Sequence, residues 1–388
     1  MNIILITHPP FLDSVSMPLY ANWLHKGLAQ LGHDTEIWTA RPVVSKISLG
    51  RALKKWQGYI DQFLVFPNEF RSKLRRLPTN SIVVFTDHAL GPWVPLAANR
   101  PHVVHCHDFL AQRSAMGDFE ENSLKSSGKA YQSYIKKGYQ TGRNFISISK
   151  KTQEDLHKFL GSEPQFSKVV YNGLNQDFNP GQPLTARQEF SEISNLNVDN
   201  GFILHIGGDM FYKNRRGVLY IYLKYRQRNP DGIPLVMIGP KPNDDLLEIL
   251  ANSPFSDQIH FLQEVSGTAV QQAYQAASLL LFPSLEEGFG WPIAEAQASG
   301  CPVITTRHAP MTEVGGNAAF YISKMSSNNL KNWETEGAKT IEKILNLTPE
   351  DREEVINKGL SNSSRFDSQK ALRQIEKCYQ DILKQYSE

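Results

Sequence analysis

The sequence predicts an α/β protein built from parallel sheets in two domains, and three observations carry that expectation. Short apolar runs of four or five residues alternate with segments of helical periodicity along most of the chain. With 388 residues, the chain exceeds the size at which one core keeps growing, so two domains of about 180 residues each are expected. The block 279–306 shows the pattern at its clearest: Leu279 to Phe282 is an apolar run ending at Pro283, Pro292 opens a helix, Gly300 closes it and Pro302 blocks its continuation.

Composition narrows the function. Lysine plus arginine (41) nearly balances aspartate plus glutamate (39), so no global charge points to nucleic acid. Cys106, Cys301 and Cys378 are widely spaced, which argues against a disulfide framework or a cysteine zinc site and for a reducing cytoplasm. The opening residues 1–10 hold an apolar run of four with no basic leader, a first strand rather than a signal peptide. No apolar segment approaches the ~18 residues of a membrane span.

Taken in order, Ile3 to Ile6, a helix carrying Leu19, Trp23, Leu24, Leu28 and Leu31, then Gly32 and Glu36 to Thr39 form a βαβ unit, with the loop 7–18 at a strand's carboxyl end. Residues 51–77 differ: Arg51, Lys54, Lys55, Arg71, Lys73, Arg75 and Arg76 are interleaved with Leu53, Trp56, Tyr59, Ile60, Phe63, Leu64 and Phe66. Two readings stand for this stretch, contact with the inner face of an anionic membrane or an excursion packing its apolar side on the first domain.

Ile82 to Thr86 ends in Asp87-His88, and the strand starting at Val103 ends in His107-Asp108, so two strand ends deliver histidine and aspartate to one sheet edge. A lone strand-end histidine is more often structural than functional, but its pairing with the other motifs reverses that balance. Phe145 to Ser149 is a strand, Thr152 to Leu160 a capped helix, and Val169 to Gly173 a strand meeting an Asn-Gly turn. The polar stretch 175–200 contains the linker, with domains at 1–178 and 179–366.

The second domain opens with Phe202 to Ile206, Gly207-Gly208, a basic loop and a helix from Val218 to Arg228, a phosphate-binding arrangement. Leu235 to Ile238, Ile259 to Leu262 and a Ser266-capped helix to Ala277 continue the alternation. Thr348-Pro349 opens a later helix, and 368–386 forms a terminal one.

The loop 284–291 then lies at a strand's carboxyl end and a helix's amino end, where free N–H groups and the helix dipole favour phosphate. Gly288 and Gly290 permit close backbone approach. Glu287 and Glu295, with seven residues between them, place one carboxylate in the loop and one in the first turn or so of the helix. Carboxylates accept pairs of hydroxyl hydrogen bonds and repel phosphate, so they suit sugar hydroxyls. A helix-capping role for Glu295 is the plainer alternative.

Glu-Gly-Phe-Gly-x-Pro-x-x-Glu-Ala followed by Gly-x-Pro-Val-Ile resembles the Glu-x7-Glu signature of the retaining glycosyltransferases of family 4. The resemblance implies a GT-B fold, two Rossmann-like domains facing a central cleft, with the helix 367–388 crossing back to the first. It assigns sugar hydroxyls to Glu287, the ribose to Glu295, the diphosphate to Lys213, and the turn at Leu262 and Glu264 to the base. Gly207, Gly208, Gly288, Phe289 and Gly290 complete the donor site, and His107 faces the transferred sugar.

The acceptor side is where the sequence departs from the pattern. A family Gly-Gly pair is replaced by residues 14–16, so Ser14 and Ser16, with Asp87 and Asp108, are its acceptor-side candidates. Gly208 stands where an arginine is usual, and Arg215 or Arg216 is the candidate substitute. No Asp-x-Asp triplet or metal-ligand cluster is evident, and no cofactor is implied. The implied reaction is metal-independent, retaining transfer of a hexose from a UDP- or GDP-linked donor to a glycan or lipid-linked saccharide. The alternative is a non-catalytic nucleotide-sugar-binding protein.

Overall fold

A computed structural model describes residues 1–12, 16–46, 51–174 and 176–386 of the chain. Ser14 and the side chains of Arg51, Leu53, Lys54 and Lys55 lie outside that description. The chain divides into two compact units, one made of Met1–Gly173 with Ser368–Glu388 and the other of Leu174–Asp367.

The first unit opens with β1 (Asn2–Ile6), α1 (Ser16–Gln30) and β2 (Asp34–Trp38). A helical excursion follows, α2 (Arg51–Ile60), a π-helical turn (Asp61–Val65) and α3 (Phe66–Leu74). Then come β3 (Ser81–Phe85), a 3-10 segment (His88–Ala97), β4 (His102–Cys106), α4 (Leu110–Met116), α5 (Ser126–Tyr139), β5 (Asn144–Ser147), α6 (Lys150–Leu160) and β6 (Phe166–Val169). The strands are parallel in the order β2-β1-β3-β4-β5-β6. Covered on both faces, the inner strands need no polar alternation, and β3 and β4 are buried at every position.

The second unit runs α7 (Pro183–Ser194), β7 (Ile203–Ile206), α8 (Arg215–Arg228), β8 (Leu235–Ile238), α9 (Asp244–Ala251), β9 (Ile259–Leu262), α10 (Gly267–Ala276) and β10 (Leu279–Phe282). It closes with α11 (Trp291–Ala298), β11 (Val303–Thr306), α12 (Met311–Gly315), β12 (Ala319–Ile322), α13 (Leu330–Leu345) and α14 (Pro349–Ser363). Its parallel sheet has the order β12-β11-β10-β7-β8-β9. The long helix α15 (Ser368–Gln385) belongs to the first unit, where Leu372, Ile375, Tyr379 and Ile382 join the core that holds Ile3, Leu5 and Val103.

Several elements depart from the sequence expectation. The stretch 175–200, expected to contain the linker, also holds α7, because Ala186 and Phe190 give that polar helix a narrow buried side and Phe190 stacks on Phe202 at 5.1 Å. The sixth strand ends at Val169 where the expected one begins. It is an edge strand of Phe-Ser-Lys-Val that carries little apolar pattern, and its register comes from β5, with Val170 N donating to Ser147 O at 2.9 Å. The excursion 51–74 is interrupted by the π turn, where Asp61 is fully buried and accepts from Val44 N (2.8 Å), Ser45 N (3.0 Å) and Ser45 Oγ (2.6 Å).

Candidate active site

In a doubly wound sheet, ligands collect outside the carboxyl ends of the strands where the strand order reverses. In the second unit that reversal falls between β7 and β10, which pair at Ile203 with Leu279 and Leu204 with Leu280. The loops after these two strands carry Lys213 and Glu287. Nζ of Lys213 donates to both carboxylate oxygens, at 2.8 Å and 3.0 Å. Glu287 is buried, and the ammonium also lies 5.3 Å from the Phe282 ring and 5.5 Å from the Tyr212 ring.

Local structure explains why these loops meet. Asn214 adopts φ +53°, takes Gly217 N at its Oδ1 (3.1 Å) and donates from Nδ2 to Pro283 O (2.9 Å), so one side chain caps α8 and pins the loop after β10. Gly290, at φ +101°, turns the chain into α11, where Pro292 has no N–H and Ile293 N donates back to Gly290 O at 3.0 Å. A Cβ on Gly239 would stand 2.2 Å from Gly207 O, so the strand ends approach closely only because that position is glycine.

Glu295 is the fifth residue of α11. Tyr274 of α10 donates its hydroxyl to the Glu295 carboxylate at 2.7 Å. Burial pushes the Glu295 carboxyl up to about 7, against the opposing pull of the Tyr274 hydrogen bond and the Lys213 charge. Tyr274 had no signal in the sequence, since its partner lies 21 positions away on another element. Glu286 was also missed: it is almost wholly buried, 2.6 Å from Lys324 Nζ and 3.5 Å from His308 Nε2, and ties this loop to the ends of β11 and β12.

The remaining donor-side candidates fall around this pair with different duties. Gly207 packs under it, its Cβ position 3.6 Å from Lys213 Cβ, whereas at Gly208 a Cβ would meet only the Met210 side chain, 3.1 Å away. Leu262 O accepts from Gly239 N at 3.0 Å, and Glu264 is exposed with φ +53°. Gly288 is half-buried, while Phe289 is buried against Trp291 and Phe366 at ring distances of 5.5 Å and 5.4 Å. Arg215 is spent internally: its guanidinium pairs with Asp209 at 2.9 Å and donates to Pro240 O at 2.7 Å. Arg216 is exposed.

In the first unit, His107 follows β4 and is buried. Its Nε2 lies 2.9 Å from Thr86 O, an acceptor only, so Nε2 carries the hydrogen and Nδ1 the lone pair. Burial lowers its pKa, with Asp87 opposing, so the ring is neutral at pH 7. Asp87 is held by His8 Nε2 at 2.8 Å and His88 Nδ1 at 2.9 Å and caps the 3-10 segment through Ala89 N at 3.3 Å. Burial alone would raise the Asp87 carboxyl, but His88 and His8 hold it well below the usual range. Asp108 accepts from Leu110 N at 3.0 Å, and Ser16 is exposed at the start of α1. Among the described residues no group of three histidines, cysteines or carboxylates is placed to hold a metal.

Comparison with known proteins agrees with this architecture. The family described as "Glycosyl transferases group 1" matches residues 186–361, and "Glycosyltransferase Family 4" matches residues 20–178. An O-antigen chain mannosyltransferase of Salmonella typhimurium is 24% identical over 204 residues, about half the length (52%) of each chain. Among solved structures, sucrose-phosphate synthase from Thermosynechococcus elongatus superposes with a TM-score of 0.73 at 16% identity, covering 98% of both chains. Anabaena HepE, solved with UDP and glucose, gives 0.70 at 15% identity over 97% of this chain and 98% of that one. With two six-stranded parallel sheets of this topology and family matches along both halves, the chain belongs to the group 1 glycosyltransferases of GT-B fold.

Proposed function

We propose that the protein transfers a hexose from a nucleoside diphosphate sugar, UDP- or GDP-linked, to a glycan or lipid-linked saccharide, with retention and without a metal. The observation that carries this reading is the Lys213–Glu287 pair bridging the switch point of the second sheet, beside Glu295 and the amino end of α11. Breaking the anomeric C–O bond puts negative charge on the diphosphate and positive charge on the sugar ring. Lys213 and the positive end of the α11 dipole meet the first, and the carboxylates of Glu287 and Glu295 take hydroxyls of the sugar and the ribose. In the free protein Lys213 and Glu287 neutralise one another, so an arriving donor replaces one ion pair with two charge-matched contacts.

His107, neutral with a fixed tautomer, is assigned to the transferred sugar, and the first unit to the acceptor. A polysaccharide or glycolipid product fits the O-antigen relative, whose name states a mannosyltransferase. Contact with an anionic membrane at the cytoplasmic face is part of the reading. Trp56, Ile60 and Leu64 on the α2 side are 64%, 38% and 63% exposed, and α2 holds no acidic residue. No helix among the described residues is long and apolar enough to cross a membrane.

The test is a melting-temperature screen of the full chain against UDP-, GDP-, ADP- and dTDP-sugars, followed by transfer assays. One donor class is expected to raise the midpoint in proportion to its affinity. Absence of any shift would sink the reading. Gly208 in place of the usual arginine favours a second reading, a sugar-nucleotide binder without turnover, which predicts a thermal shift but no transfer.

A further inference from the structure

A buried imidazole with one unpartnered nitrogen lies beside the Lys213–Glu287 pair. His205 is on β7 and fully buried, and its Nδ1 is 3.0 Å from Leu281 O on the neighbouring β10. A carbonyl oxygen only accepts, so Nδ1 carries the hydrogen. Burial pushes the pKa down to about 4, with the Leu281 carbonyl opposing, so the ring is neutral at pH 7 and Nε2 holds a lone pair. Among the described residues nothing is hydrogen-bonded to that nitrogen, although buried polar atoms are nearly always paired.

The lone pair borders the space between Gly207 and Lys213. A Cβ on Gly207 would stand 3.0 Å from His205 Nε2 and 3.6 Å from Lys213 Cβ, so Nε2 lies within the span of one lysine side chain and one hydrogen bond from Lys213 Cβ. Glycine at 207 keeps that space clear. The Phe282 ring touches both groups: the imidazole stacks on it at 6.2 Å, and the ammonium is 5.3 Å from its centre.

Lys213 is the donor that fits this acceptor. In the free protein its ammonium is directed at the two Glu287 oxygens. The other cation near the imidazole, Arg215, is held by Asp209, Lys241 O and Pro240 O. A diphosphate oxygen cannot satisfy the lone pair, since both only accept. When sugar hydroxyls take over the Glu287 carboxylate, the ammonium loses its partner and has three N–H groups to place, and a buried acceptor lies within its reach.

We propose that His205 is a positioning residue: once Glu287 turns to the sugar, His205 Nε2 accepts one N–H of Lys213 and holds the ammonium toward the diphosphate. The role toward diphosphate rests on the transferase reading; the contact between His205 and a released Lys213 does not.

The experiment follows the Nε2 signal of His205 by nitrogen NMR in the full chain, free and with UDP-glucose or GDP-mannose, and measures the affinity of each donor by calorimetry. Glu287→Ala frees Lys213 without any ligand, so the signal is expected to move to a hydrogen-bonded position in that variant and to move back when Lys213→Met is added. A signal that stays put in Glu287→Ala, or that moves equally in the double variant, overturns the proposal. A bound donor is expected to move the wild-type signal the same way. His205→Phe, which keeps a ring but no acceptor, is expected to bind that donor about 10-fold more weakly, the scale of one lost hydrogen bond to a charged group, and His205→Gln, which keeps an acceptor, to lose less. Equal affinity in wild type and His205→Phe, or an equal loss in His205→Gln, also overturns it. A signal that moves in Glu287→Ala of a protein that binds neither donor would uphold the contact and sink the transferase reading instead.

Discussion

Glu295 is the residue whose environment makes the most specific demands. Its folded carboxyl titrates near 7, above the ordinary 4.5, so it favours the folded state fully only below about 4.5 and that contribution is lost as pH rises to 7. Glu295→Gln should therefore gain thermal stability relative to wild type at pH 8 and not at pH 4, which melting curves at the two pH values will show. Hydroxyl binding needs the carboxylate, so donor affinity is expected to rise through pH 7. Tyr274→Phe removes a hydrogen bond that favours the ionised form and should move that midpoint upward, measured as donor Kd against pH. For Lys213→Ala and Glu287→Ala, kcat/KM is expected to fall at least ~10²-fold each, and the double variant by less than the product, because the two groups share one contact. The Glu287–Glu295 spacing and Lys213 were legible because they sit in local loop-helix patterns. Tyr274, His8 and Glu286 were not, since their roles exist only through partners 21 to 79 positions away.

At the scale of elements, the contact between the 3-10 segment and α5 shows how glycine sets a distance. A Cβ on Gly138 would stand 2.1 Å from Gly91 O, and one on Gly91 would stand 2.2 Å from Ile135 O, so the two backbones touch. Gly138→Ala must push α5 away and should cost about 1–3 kcal/mol, the range for overpacking, read from denaturant unfolding. A parallel case joins α1, β4 and α15: His105 stands 2.8 Å from both the Tyr20 and Tyr379 hydroxyls, and burial drives its pKa down to about 3. A neutral ring has one donor and one acceptor, so one tyrosine donates to it and the other accepts. The strand pattern announced β4, but nothing in it announced that network. Likewise the π turn was invisible, because an inserted residue leaves the apolar stripe of 51–74 nearly intact.

For the whole molecule, the decisive fact is that the last helix belongs to the first unit. Leu372, Ile375, Tyr379 and Ile382 are buried with the β1, β3 and β4 side chains, and Met1 N, His33 and Glu376 link the chain's first residue to α15 at 3.2 Å and 2.8 Å. Burial of these side chains contributes about 1.5–3 kcal/mol apiece, comparable in sum with the ~5–15 kcal/mol stability of a domain. A chain ending at Asp367 should therefore lose the cooperative unfolding of the first unit while Leu174–Asp367 keeps its own, which calorimetry would resolve as one transition missing. A fragment with both transitions intact would refute this account. What the sequence alone determined was everything written in short-range periodicity: the buried strands, the helix starts and stops, and the loop that carries the acidic pair. What only the tertiary structure decided was strand order and side-chain partnership. Topology places β1 beside β3 and β7 beside β10, and those neighbours join residues that no local pattern connects, making His8 the partner of Asp87 and Lys213 the partner of Glu287.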